Sequence, residues 1–194
     1  MATYHGVKFK TIFKAHIQPS FDQIEELIGW CNIFAEYELA PTYPGGSFGN
    51  LSVMTDNGML LTSSGVDLGG KLTIADFVLV HDCNLDTFEM TATGIKEPSS
   101  ETPVHFSLYK KRPEIRAIFH GHHQKMLDFS KYLDLDETSN EQPYGTPELV
   151  NEVLCLSSKN FILMKNHGFL SLAPSMQVAG EKTLEILSKI NQMV

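Results

Sequence analysis

The chain has 194 residues, which suits a single domain spanning residues 1–194 with an ample core. Hydrophobic residues make up 42% and charged residues 20%, a balance that excludes the disordered class, and no apolar run approaches the length of a membrane-spanning helix. A net charge of −8 argues against nucleic acid and against an anionic membrane surface as partners.

From the N-terminus, Val7 to Ile17 reads as a strand. Ser20-Phe21-Asp22-Gln23 resembles a capping box ahead of a helix reaching about Tyr37. Pro41 to Gly49 is a Pro/Gly loop. Asn50–Thr55 and Met59–Thr62 flank Asp56-Asn57-Gly58, a hairpin signal. Strands follow near Phe77–His81 and Thr87–Thr91. Pro98-Ser99-Ser100-Glu101-Thr102-Pro103 opens a helix carrying Val104, Phe106, Leu108 and Tyr109, closed by Lys110, Lys111, Arg112 and Pro113. Ile115 to Phe119 and Phe161 to Met164 read as buried strands. One helix starts near Thr146 with Pro147 in its first turn. A last one runs from Ser175 to about Met193, with Val178, Leu184, Leu187 and Ile190 as its core positions. This order suggests an α/β sandwich with a mixed or antiparallel sheet.

The chemistry concentrates in His120-Gly121-His122 and Asn166-His167-Gly168. Residues two apart on a strand share a face and lie roughly 6.6 Å apart, a gap that two imidazoles can bridge to one ion. A third histidine completes a catalytic zinc set. An isolated H-x-H is weak evidence, and histidines are commonly just surface or hydrogen-bonded residues. His5, His16 and His81 stand alone and read as structural, while His123 lies on the opposite strand face. Ser99-Ser100-Glu101 has a plain reading as a helix cap. The same cap makes an anion site, and beside a metal Glu101 would be placed for proton transfer. Cys31, Cys83 and Cys155 have no metal-type spacing and read as reduced and buried, which, with no signal-peptide pattern at the N-terminus, points to the cytosol. Gly65 to Leu72 imitates a phosphate-binding P-loop, but Leu72 stands where its hydroxyl belongs and no helix follows, so a turn is the better account.

Gly49-Asn50-Leu51-Ser52, Leu61-Thr62-Ser63-Ser64-Gly65, Pro98-Ser99-Ser100-Glu101, the H-G-H run and Asn166-His167-Gly168 occur in the order found in the class II aldolase/adducin family. The resemblance runs from about Phe21 to the C-terminus and is nearest to the fuculose-phosphate aldolase branch. It implies an α/β/α sandwich with a mixed, largely antiparallel central sheet. It also implies one Zn²⁺ per subunit, with His120, His122 and His167 as ligands. Glu101 matches the general acid/base, which can complete the metal shell when no substrate is bound. Gly49, Asn50, Ser64, Gly65, Ser99 and Ser100 match the segments that hold a substrate phosphate. The implied reaction is reversible cleavage of a sugar 1-phosphate to dihydroxyacetone phosphate and an aldehyde, carried out by a cytoplasmic homotetramer. With a metal as electrophile, no Schiff base is needed, and Lys96 and Lys165 have no covalent role.

Other activities share that scaffold. Sugar-phosphate 4-epimerases rejoin the same bond, and Thr102-Pro103-Val104-His105 looks epimerase-like, but they usually carry aspartate where Glu101 stands. Methylthioribulose-phosphate dehydratases place their acid/base after the H-x-H. Adducin-like interaction modules lose the metal set. The stretch from His123 to Tyr144 is shorter than in the fuculose enzymes, which leaves the family's interface tyrosine unassigned between Tyr132 and Tyr144.

Overall fold

A computed structural model describes residues 6–193, so His5 lies outside the described residues. In chain order the elements are β1 (Lys10–Ala15), α1 (Ile24–Glu36), β2 (Thr42–Tyr43), β3 (Gly46–Ser47), β4 (Asn50–Thr55) and β5 (Gly58–Thr62). A short 3₁₀ turn at Ile74–Asp76 leads to β6 (Phe77–Asn84) and β7 (Glu89–Thr93). Then come α2 (Thr102–Lys111), β8 (Ala117–Gly121), α3 (Gln124–Asp128), β9 (Asp136–Glu137) and α4 (Pro147–Cys155). The series ends with β10 (Phe161–Met164), β11 (Gly168–Ala173) and α5 (Met176–Asn191).

Nine strands form one sheet in the order β1-β7-β6-β5-β4-β8-β11-β10-β9. Only the two outermost pairs, β1 with β7 and β9 with β10, are parallel; the rest are antiparallel. The mixed, largely antiparallel sheet anticipated from the sequence is therefore present. Its central strands are buried on both faces, which is why their sequences are nearly continuous apolar runs. Leu51, Ala117, Phe119, Leu163 and Phe169 pack with Leu27 and Phe34 of α1, Met126 of α3 and Ile186 of α5. The alternate residues Leu61, Ile118, Ile162 and Leu170 pack with Val104 and Leu108 of α2 and Leu149 and Val153 of α4. The period-2 alternation of the strands thus puts helices on both sides, giving an α/β/α sandwich.

Several local expectations are corrected. Gln23, not Ser20, is the N-cap of α1, and it makes no side-chain capping bond. The added N-terminal strand is shorter than expected and lies at the sheet edge. β8 starts at Ala117 rather than Ile115 and runs on to Gly121, with His120 at its carboxyl end. β6 and β7 extend to Asn84 and Thr93. Val178 faces solvent at 45% exposure, whereas Leu187 and Ile190 are buried as expected. Cys155 is exposed, while Cys31 and Cys83 are buried, and all three are free thiols. The P-loop imitation is a turn, with the Gly70 N–H donating to the Asp67 carbonyl and only the 3₁₀ turn following. Thr146 caps α4 and Ser175 caps α5, both by accepting from a backbone N–H as their sequences indicated.

Candidate metal centre

Three strands and one helix start deliver the candidate ligands. His120 pairs with Asn50 of β4 on one side and with Leu170 of β11 on the other, and it is fully buried. His122 follows two residues on, its backbone N–H held by the Leu39 carbonyl at 2.8 Å. His167 sits in the tight turn between β10 and β11, where its N–H donates to the Met164 carbonyl at 3.0 Å. Asn166 takes the left-handed conformation that closes this turn, with φ of 54°, a geometry asparagine tolerates. Glu101 occupies the N-cap of α2. The two serines thought to cap this helix instead lie before it, and the Ser99 carbonyl accepts from the Thr102 hydroxyl at 2.6 Å. Glu101 makes no side-chain bond to its own helix, because its carboxylate is directed at the histidines.

One potential ligand atom from each of Glu101, His120, His122 and His167 lies within 4.8 Å of all the others. Glu101 Oε2 is 2.7 Å from His120 Nε2, and Glu101 Oε1 is 3.1 Å from His167 Nε2. His120 Nε2 and His122 Nε2 are 3.0 Å apart. The other ring nitrogen of His120 donates to the Phe169 carbonyl at 2.8 Å, so in the neutral ring Nε2 presents its lone pair to the cluster. A lone pair cannot face a carboxylate and a second imidazole lone pair at these distances unaided. A proton or a cation must lie between them. Three imidazole nitrogens and one carboxylate form a donor set typical of catalytic Zn²⁺, and tetrahedral Zn–N bonds of 2.0–2.1 Å would separate neighbouring nitrogens by about 3.3 Å. The residues fit a divalent ion.

Electrostatics reinforce the cluster. Burial pushes the Glu101 carboxyl up, but the His120 and His167 charges and hydrogen bonds outweigh it and hold it well below the usual carboxylate range. Burial lowers His167, yet the Glu101 charge and hydrogen bond raise it overall. His122 is held well below the ordinary imidazole value by burial first and then by the His120 and His167 charges. His123 is the N-cap of α3 and is not among the converging ligands.

The segments expected to hold phosphate gather around the same point. Asn50 Nδ2 donates to Glu101 Oε2 at 3.0 Å, and its Oδ1 is buried without a hydrogen-bond partner. The Ser64 N–H donates to the Glu97 carbonyl at 2.8 Å and the Ser99 N–H to the Thr62 carbonyl at 3.3 Å, so residues 62–65 and 97–99 run side by side. Gly49 and Gly65 both have positive φ, and a Cβ on Gly49 would meet the His120 carbonyl at 2.8 Å. Ser100 departs from the group: it is buried, and its hydroxyl donates to the Gly6 carbonyl at 3.4 Å. Lys96 pairs with Asp76 at 2.6 Å and Lys165 donates to the Ser139 carbonyl at 3.0 Å, so neither belongs to the cluster.

The description "Class II Aldolase and Adducin N-terminal domain" matches residues 25–188. The chain belongs to this family. It is 30% identical to an L-fuculose phosphate aldolase of Methanococcus vannielii, over 88% of this chain and 96% of that protein. It is also 30% identical to a 3-oxo-tetronate 4-phosphate decarboxylase of Haemophilus influenzae, over 74% of this chain and 75% of the relative. A solved L-fuculose 1-phosphate aldolase superposes with a TM-score of 0.71 at 25% identity, covering 91% of this chain and 86% of that one. Within the class II aldolase family this chain stands with the metal-dependent lyases, and Glu101, His120, His122 and His167 form a cluster that could hold a metal.

Two features of the class II aldolase centre escaped the sequence reading. The Asn50 side chain is bonded to Glu101. Behind it, Ser52, His105 and Tyr109 form a buried polar chain. Burial, and secondarily the His120 charge, push His105 down to about 3, so its ring is neutral. The only signal in the sequence was the four-residue step from Glu101 to His105 and on to Tyr109.

Proposed function

We propose that the protein is a zinc-dependent aldolase that reversibly cleaves a sugar 1-phosphate to dihydroxyacetone phosphate and an aldehyde. The observation carrying this reading is the convergence of Glu101 with three imidazoles beside three candidate phosphate-binding segments. His120, His122 and His167 would hold one divalent ion per subunit, with Glu101 completing the set before substrate arrives. When bound, that ion supplies Lewis-acid stabilisation for charge developing on the substrate carbonyl and its neighbouring hydroxyl.

The remaining work falls to the chain's own residues. Glu101 takes and returns the proton at the carbon next to the carbonyl, and Asn50 steadies one carboxylate oxygen while it does so. Backbone and hydroxyl groups of Gly49, Ser64, Gly65 and Ser99 would anchor the phosphate, so that binding energy at one end fixes the reacting end. Asn50 and Ser100, matched to the same role by the resemblance, spend their side chains on Glu101 and Gly6. A cavity of about 590 Å³ adjoins His122 and includes Glu38, Thr42, His123 and Lys125 in its walls, a size ordinary for small-molecule sites. It offers room for the aldehyde portion.

The same reading takes residues 1–194 as one domain working in a cytosolic homotetramer. Three free cysteines support the compartment, and among the described residues no helix is long and apolar enough to cross a membrane. A second reading, sugar-phosphate 4-epimerase, draws on the same cluster. A non-catalytic adducin-like module is disfavoured by the complete ligand set. The deciding experiment offers dihydroxyacetone phosphate with a panel of aldehydes to the zinc-loaded protein, beside pentulose 5-phosphates. Aldehyde-dependent consumption of dihydroxyacetone phosphate is expected. Epimerisation without condensation would replace the aldolase reading, and neither activity in metal-loaded protein would remove both.

A further inference from the structure

Glu101, His105 and Tyr109 stand at i, i+4 and i+8 and therefore share one face of α2. Asn50 and Ser52 stand at i and i+2 on β4 and share the sheet face that α2 covers. Four helical residues advance about 6 Å and two strand residues about 6.6 Å, so the two repeats match over one step. The result is a pair of rungs. Asn50 reaches Glu101 at 3.0 Å, and Ser52 Oγ reaches His105 Nδ1 at 2.7 Å. Tyr109 completes the second rung: its hydroxyl lies 3.0 Å from Ser52 Oγ and donates to the Ser52 carbonyl at 3.0 Å.

The second rung is buried in the layer that also holds Val104, Leu108 and Ile118. Apolar packing there holds α2 against the sheet, but it is non-directional and does not fix the helix along its own axis. Hydrogen bonds weaken steeply away from their preferred length and angle, and buried polar groups are best attested as devices that set register. His105 Nε2 is buried with no hydrogen-bond partner, a desolvation cost that a leucine at this position would not carry. Glu101 spends its own carboxylate on the histidines and cannot anchor the helix start.

We propose that His105, through Ser52 and Tyr109, is a positioning residue for Glu101: the rung sets the axial register of α2 on β4 and so the aim of the carboxylate at the three imidazoles. The proposal rests on the reading of Glu101 as metal ligand and proton carrier. Its test compares the wild type with His105→Leu, His105→Asn and Tyr109→Phe. For each, zinc affinity is measured by competition with a chromophoric chelator, together with thermal stability and the rate and KM of proton exchange from dihydroxyacetone phosphate in heavy water. His105→Leu and Tyr109→Phe are expected to weaken zinc binding about tenfold or more and to slow exchange by about 10–10², with KM within about twofold. In His105→Asn the amide nitrogen falls near the place of Nδ1, and both quantities are expected to stay within about threefold of the wild type. If His105→Leu fails to fold, Tyr109→Phe decides, since it keeps the ring and loses only the hydroxyl. Zinc affinity and exchange equal to wild type in a folded His105→Leu or Tyr109→Phe would overturn the proposal while leaving the metal centre intact. A wild type that takes up no divalent ion would overturn both.

Discussion

Gly168 follows the third candidate ligand, and replacing it with alanine drives a methyl group between β8 and β11 at the metal centre. An ideal Cβ on residue 168 would stand 2.3 Å from the Gly121 carbonyl oxygen and 3.0 Å from His120 Cε1. Carbon and oxygen in close contact are about 3.3 Å apart, so the strands must part by about 1 Å. The hydrogen bond from His120 Nδ1 to the Phe169 carbonyl, now 2.8 Å, lies one residue away. A shift of that size stretches it to about 3.8 Å, beyond a hydrogen bond. Overpacking costs about 1–3 kcal/mol and the lost bond about 1 kcal/mol more, so Gly168→Ala should destabilise the protein by about 2–4 kcal/mol. At about 2–4 °C per kcal/mol for a chain of this size, Tm falls by about 4–16 °C. With His120 no longer held in one tautomer and orientation, zinc affinity should fall about 10–100-fold. Calorimetry on chelator-treated protein reads the first effect and chelator competition the second. Gly29→Ala is the control: nothing lies within 4 Å of its Cβ in the middle of α1, and it should stabilise by about 0.5–1 kcal/mol. A Gly168→Ala protein with unchanged Tm and zinc affinity would refute the argument that these strands meet too closely there for any side chain.

Glu101→Gln should still load one zinc ion at saturating metal but lose proton exchange at the carbon beside the carbonyl by at least about 10², read by mass spectrometry of deuterated dihydroxyacetone phosphate. Stripping the metal should lower stability, since a ligand at 100 times its dissociation constant adds about 2.7 kcal/mol; equal Tm values with and without chelator would count against a bound ion. Asp76 accepts from the Thr73 N–H at 2.8 Å and pairs with Lys96 at 2.6 Å. Burial raises its carboxyl, but Lys96 and Thr73 outweigh burial and depress it. A depressed carboxylate stabilises above its ordinary value of about 3.9, and that contribution disappears as pH falls through the folded value. Asp76→Asn should therefore cost about 0.5–1 kcal/mol at neutral pH in urea titrations, with the deficit fading as pH falls below the ordinary carboxylate range.

The parts of this fold that the sequence announces are those governed by a local period. The apolar runs of β8 and β10, the Asp56-Asn57 turn, and the helix starts at Thr146 and Ser175 are all settled within a few residues. The H-x-H spacing likewise places His120 and His122 on one face. What escaped depends on contacts remote in the chain. Ser20-Phe21-Asp22-Gln23 fits a capping box, yet α1 begins at Ile24 without a side-chain cap. The serines before Glu101 match a cap, but Glu101 occupies the N-cap and turns its carboxylate to His120 and His167 instead of to the helix. Val178 precedes Leu184 and Leu187 by six and nine residues, which turns it about 120° and 180° away from them around the helix, and it lies at 45% exposure near the start of α5. Asn50 and His105 could be given their partners only once α2 was laid across β4, a pairing 51 to 53 residues apart in sequence.

Zinc K-edge X-ray absorption on protein loaded with one equivalent of metal reports the coordinating atoms themselves. Three imidazole nitrogens and one carboxylate or solvent oxygen at about 2.0–2.2 Å are the shell expected from His120, His122, His167 and Glu101. A sulfur shell at about 2.3 Å, drawn from the free cysteines, or a shell of oxygen alone would contradict it.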